Sequence, residues 1–469
     1  MTRHANLSKL AALLLPLACA ADDPLGNAAD ADIRTCGSDG AVMIFAGAEP
    51  DAGGEPESRV RVEQQLGGGR LLVASGTKAG GSTYWVVGDC GGEAVAVPNP
   101  PGARVWGDAT TLWFADDDVV GRWSIDGGSD VQWEPQGDRA LAFVPGVGLA
   151  IWEVAGFGEV GDAVLLDAAG SRRPLFSAGL DLDDPFFDML EITGGQWHVQ
   201  VTGTVIGVLD DSGTLRVVDA TTPGAGVVTP DIRDFGLGPD GSWFIAQRAV
   251  SGEPLQLILF DRATGIGTDI GQTDAFVGPV PGPYVGIQSG FGPTTELVDS
   301  ATLARIPVPA RFGEAQYLGG GRFVDADETA SWDPSTGQIV EGGAADDGQA
   351  LFLPGADVPV RERRLDTRVG ESPVVPFDGA PFSIPGAERL RGLATGHVLF
   401  ADGGSAVGSP VGVAFEVGPV YVAAPGMGPA RLESAAGLGE DDVVVLEGGD
   451  IVLEVQDGAR SGLWRYGLR

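Results

Sequence analysis

Apolar residues along this chain come in short runs rich in Val, Ile, Leu, Phe and Trp, separated by Gly, Asp, Pro or Ser. Runs of that length between turn residues predict strands, and no stretch has the spacing of a convincing amphipathic helix. The runs recur. A small-residue turn leading into a short apolar strand begins at Leu66, Val105, Phe143, Ile192, Leu237, Val277, Leu318, Leu393 and Leu438, with a weaker copy near Leu353. Most steps fall near 40 residues, the length of a four-stranded propeller blade.

A second element follows the first: two apolar residues, an acid and a turn, with the acid at Asp126, Asp167, Asp219, Asp261, Asp299 and Asp333. The chemistry suits a tight hairpin. An Asp carboxylate accepts backbone N–H groups two residues on, and a following Gly takes positive φ without strain. The turns Asp261-Arg262-Ala263-Thr264-Gly265 and Asp333-Pro334-Ser335-Thr336-Gly337 resemble the repeats of quinoprotein-like and TolB-like propellers. Gly238-Pro239-Asp240-Gly241-Ser242 is similar to the opening of WD40-like repeats. The resemblance implies a fold and no particular activity.

The expectation is therefore an all-β chain whose residues 37–469 form a single β-propeller. Up to ten units are countable, but propellers typically have four to eight blades. The reading adopted is seven or eight four-stranded antiparallel blades, with an array of β-sandwiches as the alternative. Ring closure by the two chain ends would pair Ala41–Phe45 with Gly462–Tyr466.

The N-terminus reads as an export signal over residues 1–19. Arg3, His4 and Lys9 precede an apolar stretch from Leu10 to Leu17, too short to span a bilayer. Two processing routes compete. Ala18-Cys19-Ala20 fits ordinary cleavage and release, whereas Leu17-Ala18-Cys19 resembles a bacterial lipobox, with Pro16 where that family usually has leucine. The second resemblance implies that Cys19 carries lipid and anchors the protein to a membrane of the cell envelope. The small, acidic stretch 20–36 would then be a flexible tether. With Cys19 acylated, Cys36 and Cys90 remain as an even pair for an oxidising compartment. A bridge between them would remove about 4 kcal/mol of unfolded-state entropy; two free thiols are the other reading.

Net charge is −36, with 29 Lys and Arg against 65 Asp and Glu. Such a balance repels phosphate backbones and anionic lipid headgroups, which excludes nucleic acid as a partner and leaves the membrane reachable only through the lipid. Past the signal, histidine is confined to His198 and His397, each expected on a blade strand. No Gly-x-Ser-x-Gly elbow, zinc cluster or phosphate loop is visible. The adjacent-cysteine pair common in quinoproteins is missing, so calcium is the one cofactor left open. The densest acids are Asp181, Asp183, Asp184 and Asp188, chemically suited to calcium but without EF-hand spacing; solvated turn acids are the plainer account. Arg361, Arg363, Arg364 and Arg368 run against the overall charge and could grip an anionic partner, or form an exposed face neutralised by Glu362 and Asp366.

Two function classes follow. One is a non-catalytic envelope lipoprotein that presents propeller loops to a protein or glycan. The other is an extracellular hydrolase or lyase using carboxylates or arginines in the channel. A channel lined by Gly, Ala and Val, with aromatic residues exposed on an outer face, favours the first; inward-facing Asp, Glu, Arg or His clustered at one mouth of the channel favours the second.

Overall fold

The computed structural model describes the strands and most turns between residues 34 and 468. Residues 1–33 and 469, the stretches 47–57, 78–81, 99–102, 135–137, 154–160, 177–179, 181–198, 250–254, 273–281, 289–291, 343–349, 356–365, 368–371, 377–379, 385–388, 402–404, 408–414, 439–442 and 457–459, and several gaps of one or two residues lie outside the description. Within the described residues the architecture is all-β, with a 3-10 turn at Ala310–Phe312.

The strands form blade units in chain order: blade 1 over residues 58–96, blade 2 over 104–133, blade 3 over 138–174, blade 4 over 199–229, blade 5 over 232–272 and blade 6 over 284–307. Blade 7 covers 316–341, blade 8 takes its strands from 351–384, and blade 9 covers 389–437 together with Asp366–Thr367, which pairs with Arg389–Gly392. Blade 10 takes its three inner strands from 443–466 and its outermost from Val42–Ala46, antiparallel to Gly462–Tyr466. That is the closure anticipated from the two chain ends. Blades 1–5 and 7 are four-stranded meanders, and blades 6 and 8 have three strands.

The expected seven or eight blades are corrected to ten. The packing shows why: ten apolar clusters each lie between consecutive blades. Leu72, Phe114 and Trp123 join blades 1 and 2; Val217, Phe235 and Phe244 join blades 4 and 5; Leu399, Val422 and Leu453 join blades 9 and 10. The last cluster, with Ile44, Val73 and Leu463, joins blade 10 to blade 1 and closes the ring. The ten units countable in the sequence were ten blades.

Burial follows position in the blade. Middle strands are covered by a neighbouring blade on each face, so Val205–Leu209 is buried along its whole length. Outer strands are open, and in Gly267–Gln272 Ile270 is the buried residue. A continuous apolar run in the middle of a unit and a polar one at its end are what this geometry requires. In such a meander the first and third turns of a blade share one end of the ring; the middle turn and the connector to the next blade share the other.

Candidate interaction surface

The repeated acids are turn builders. Asp167, Asp219, Asp299 and Asp333 each accept, on Oδ1, the backbone N–H two residues on, at 2.9–3.0 Å. Asp261 accepts from the N–H and hydroxyl of Thr264, both at 2.8 Å. Those bonds hold the Asp261 carboxyl below its ordinary range. For Asp219 and Asp333 burial pushes the other way, and the turn bonds outweigh it. Asp126 departs from the pattern: it receives Arg70 Nη2 from blade 1 at 2.5 Å, which lowers it too.

Buried polar groups are likewise spent on architecture. Asp325 accepts from the N–H and hydroxyl of Thr329, from Ala330 N and from Arg311 Nε, and these contacts overcome the upward push of burial. Asp210 is paired with Arg216. Gln64 reaches across to blade 2, where it accepts from Gly107 N at 3.0 Å and donates to Gly107 O at 2.9 Å. Gln200 repeats this between blades 4 and 5, on Leu237 N and Phe235 O. A carboxamide that imitates a peptide unit ties inner strands together without adding charge.

The candidates from sequence stand as follows. Cys19, Cys36, Asp181, Asp183, Asp184, Asp188, Arg361, Arg363, Arg364, Arg368 and His198 lie outside the described residues. Asp181–Asp188 belongs in sequence to the connector between blades 3 and 4. Cys90 is disulfide-bonded. His397 is corrected from a strand to the turn before Val398–Ala401, where its Nδ1 lies 3.1 Å from Thr395 Oγ1. Burial pushes its imidazole below the ordinary value. Among the described residues, no group of three or more His, Cys, Asp or Glu is placed to share a metal ion.

What the sequence reading missed is the outer rim. Among the described residues, the large apolar side chains that stay exposed are Val95, Trp133, Val228, Ile266, Leu303 and Ile339. Each lies in an outermost strand or the turn leading into one, on blades 1, 2, 4, 5, 6 and 7 in that order. Ile266 is 65% exposed. Trp133 lies across Gly121, where any Cβ would come within 2.6 Å of the indole, so the glycine lets the ring lie against the sheet. Leu303 is the most telling. It follows Asp299 by four residues, the slot filled by Gly265 and Gly337 in blades 5 and 7. All three have positive φ, at 60°, 68° and 72°. A leucine there carries strain that glycine avoids, yet its side chain faces solvent.

No family model and no curated protein matches the chain. Among solved structures it is similar to a eukaryotic initiation factor, at 13% identity over 81% of this chain and 96% of that one, with a TM-score of 0.41. It is similar to TolB from Acinetobacter baumannii at 12% identity, over 57% and 62% of the two chains, with a TM-score of 0.23. BamB from Moraxella catarrhalis gives 13% identity over 78% and 94%, with a TM-score of 0.29. No residue role is carried over from these likenesses.

Proposed function

We propose that this chain is a non-catalytic binding or scaffolding protein of the bacterial cell envelope that engages a partner through its propeller surface. The carrying observation is the rim: apolar side chains stay in water on six blades, and one of them, Leu303, does so at a backbone cost. Strain retained at an exposed position is expected of a surface with a partner. The surrounding acidity selects the partner's chemistry as apolar groups flanked by cations, and a protein supplies that combination better than a neutral glycan.

The test is in vivo cross-linking from photoreactive residues at Ile266 and Ile339, with and without Trp133→Ser and Leu303→Gly in the same chain. A discrete adduct that disappears in the doubly substituted, still folded protein supports the reading. An adduct pattern unaffected by these substitutions overturns it. Export with a lipid on Cys19 is part of the same proposal, and a Cys19→Ser chain that still takes up labelled fatty acid would sink that part.

A further inference from the structure

The ring is closed by a strand that belongs to two blades at once. Val42–Ala46 is hydrogen-bonded into blade 10, with Val42 opposite Arg465 and Ala46 opposite Gly462. The next strand in the chain is Ser58–Gly67, the inner strand of blade 1. Two other seams are also bridged by strand pairing, Asp366–Thr367 with Arg389–Gly392 and Ala436 with Val455. Blades 10 and 1 are joined by the chain only through this peelable strand. Side-chain ties add to it: Glu454 Oε1 accepts from Val60 N at 3.1 Å, and Gln65 Nε2 donates to Val445 O at 2.7 Å.

Cys90 stands at this seam. It occupies the turn between Ser82–Gly88 and Val95–Ala96 in blade 1, and that turn packs on the closing strand. A Cβ on the adjoining Gly91 would lie 3.2 Å from Met43 O. Arg465, on the strand paired with Val42, donates from Nη1 to Asp89 O at 3.0 Å and lies 3.4 Å from Cys90 Sγ. Its Nε and Nη2 both reach Asp450 Oδ2, at 2.9 and 2.7 Å. The guanidinium is matched by two carboxylates, Asp450 and Asp89, so it serves as a tie between the blades rather than as a spare charge beside the sulfur.

The chain's other cysteines, Cys19 and Cys36, both precede Val42. Whichever one bridges Cys90, the disulfide fastens the segment before the closing strand to blade 1. Cys36 falls in sequence between the two strands of the hairpin Arg34–Thr35 and Ser38–Asp39, which packs beside Gly462–Tyr466. With Cys36 as the partner, Val42–Ala46 would be held to blade 1 on both sides, by the chain leading to Ser58–Gly67 and by the bridge before it. A strand pinned at both ends gains little freedom by peeling, so peeling is suppressed.

We infer that the Cys90 disulfide, with Cys36 as its partner, is a redox latch on ring closure: reducing it frees the closing strand and loosens the molecule at the seam between blades 10 and 1. The chemistry is thiol–disulfide exchange with an external dithiol. The dithiol loses two electrons and two protons and forms its own S–S bond, while the protein bridge becomes two thiols.

The test is hydrogen exchange by mass spectrometry on the folded full chain, before and after dithiothreitol. Exchange at Val42–Ala46 and Gly462–Tyr466 rises about tenfold or more, while the middle strands of blades 4 and 5 do not change. Cys36→Ser gives the same local rise without reductant, and Cys19→Ser gives none. An unchanged seam after confirmed reduction overturns the latch, as does acceleration spread evenly over all blades. A rise in Cys19→Ser with none in Cys36→Ser overturns the assigned pairing. Because the reductant acts on protein that has already folded, the result stands even if a cysteine variant fails to fold.

Discussion

Blades 2–7 and blades 8–10 are built from the same kinds of strand, yet they finish their sheets differently. In blades 2–7 the strand next to the outermost one ends at or within two residues of an Asp, and a hairpin leads from it to the outer strand. Each of these sheets is separate and has three or four strands. In blades 8–10 the turns that carry Asp378, Asp402 and Asp457 lie outside the described residues. Blade 8 pairs Leu351–Phe352 parallel to Ser372–Val375. Blade 9 ends in the long hairpin Phe415–Ala424 and Met427–Gly437, with three register shifts. Ala436 then pairs with Val455, which fuses blades 9 and 10 into one ten-stranded sheet. The comparison teaches that turns closed on their own Asp, as in blades 3–7, go with discrete sheets. An Asp carboxylate that binds its own backbone ends its strand and reverses the chain within a few residues.

This contrast also explains what could be read in advance. The Asp motif was visible in six copies, and they fall on blades 2–7. The turn-strand element was visible ten times and marks ten blades, including the weak copy near Leu353 that became blade 8. Only a prior about typical propellers argued the count down. The seam was legible as well, since propellers usually close by pairing their two chain ends and an apolar strand stands near each. The rim was not. An exposed Ile266 and a buried Ile270 have the same letter, and only their place at the edge of a blade separates them. Leu303 was legible in principle, as the one leucine in a slot that glycine fills in the blades on either side.

The strongest blow to the turn-centred picture would fall on Asp325, the buried acid between the second and third strands of blade 7. Asp325→Ala strands the N–H groups of Thr329 and Ala330 and removes one of the two carboxylates on Arg311, which keeps Glu341. A loss of about 2 kcal/mol is expected, read from urea unfolding. The same acid carries a pH signature. Its folded value is depressed, so its stabilisation is complete above the unfolded carboxylate value near ~4 and drains away as pH falls through the folded value. The wild-type chain should therefore lose stability below about pH 4 more steeply than Asp325→Ala does. Parallel acid profiles for the two proteins would mean that the carboxylate contributes nothing through its charge.

A smaller and opposite effect sharpens the comparison within blades 5–7 themselves. Gly265, Leu303 and Gly337 occupy the same turn slot, donate the same backbone bond to their Asp carbonyls at 2.8–2.9 Å, and share the left-handed conformation. Leu303→Gly removes a Cβ from a conformation that costs a branched chain about 1 kcal/mol and returns part of that gain to the freer unfolded state. A net rise of roughly 0.5–1 kcal/mol is expected, and Gly337→Leu should cost a similar amount. If Leu303→Gly instead destabilises, the leucine is holding the turn together, and its exposure needs no partner to explain it. If it stabilises the fold while the rim adduct is lost, selection has kept a residue that the fold would discard, and the rim is where the protein does its work.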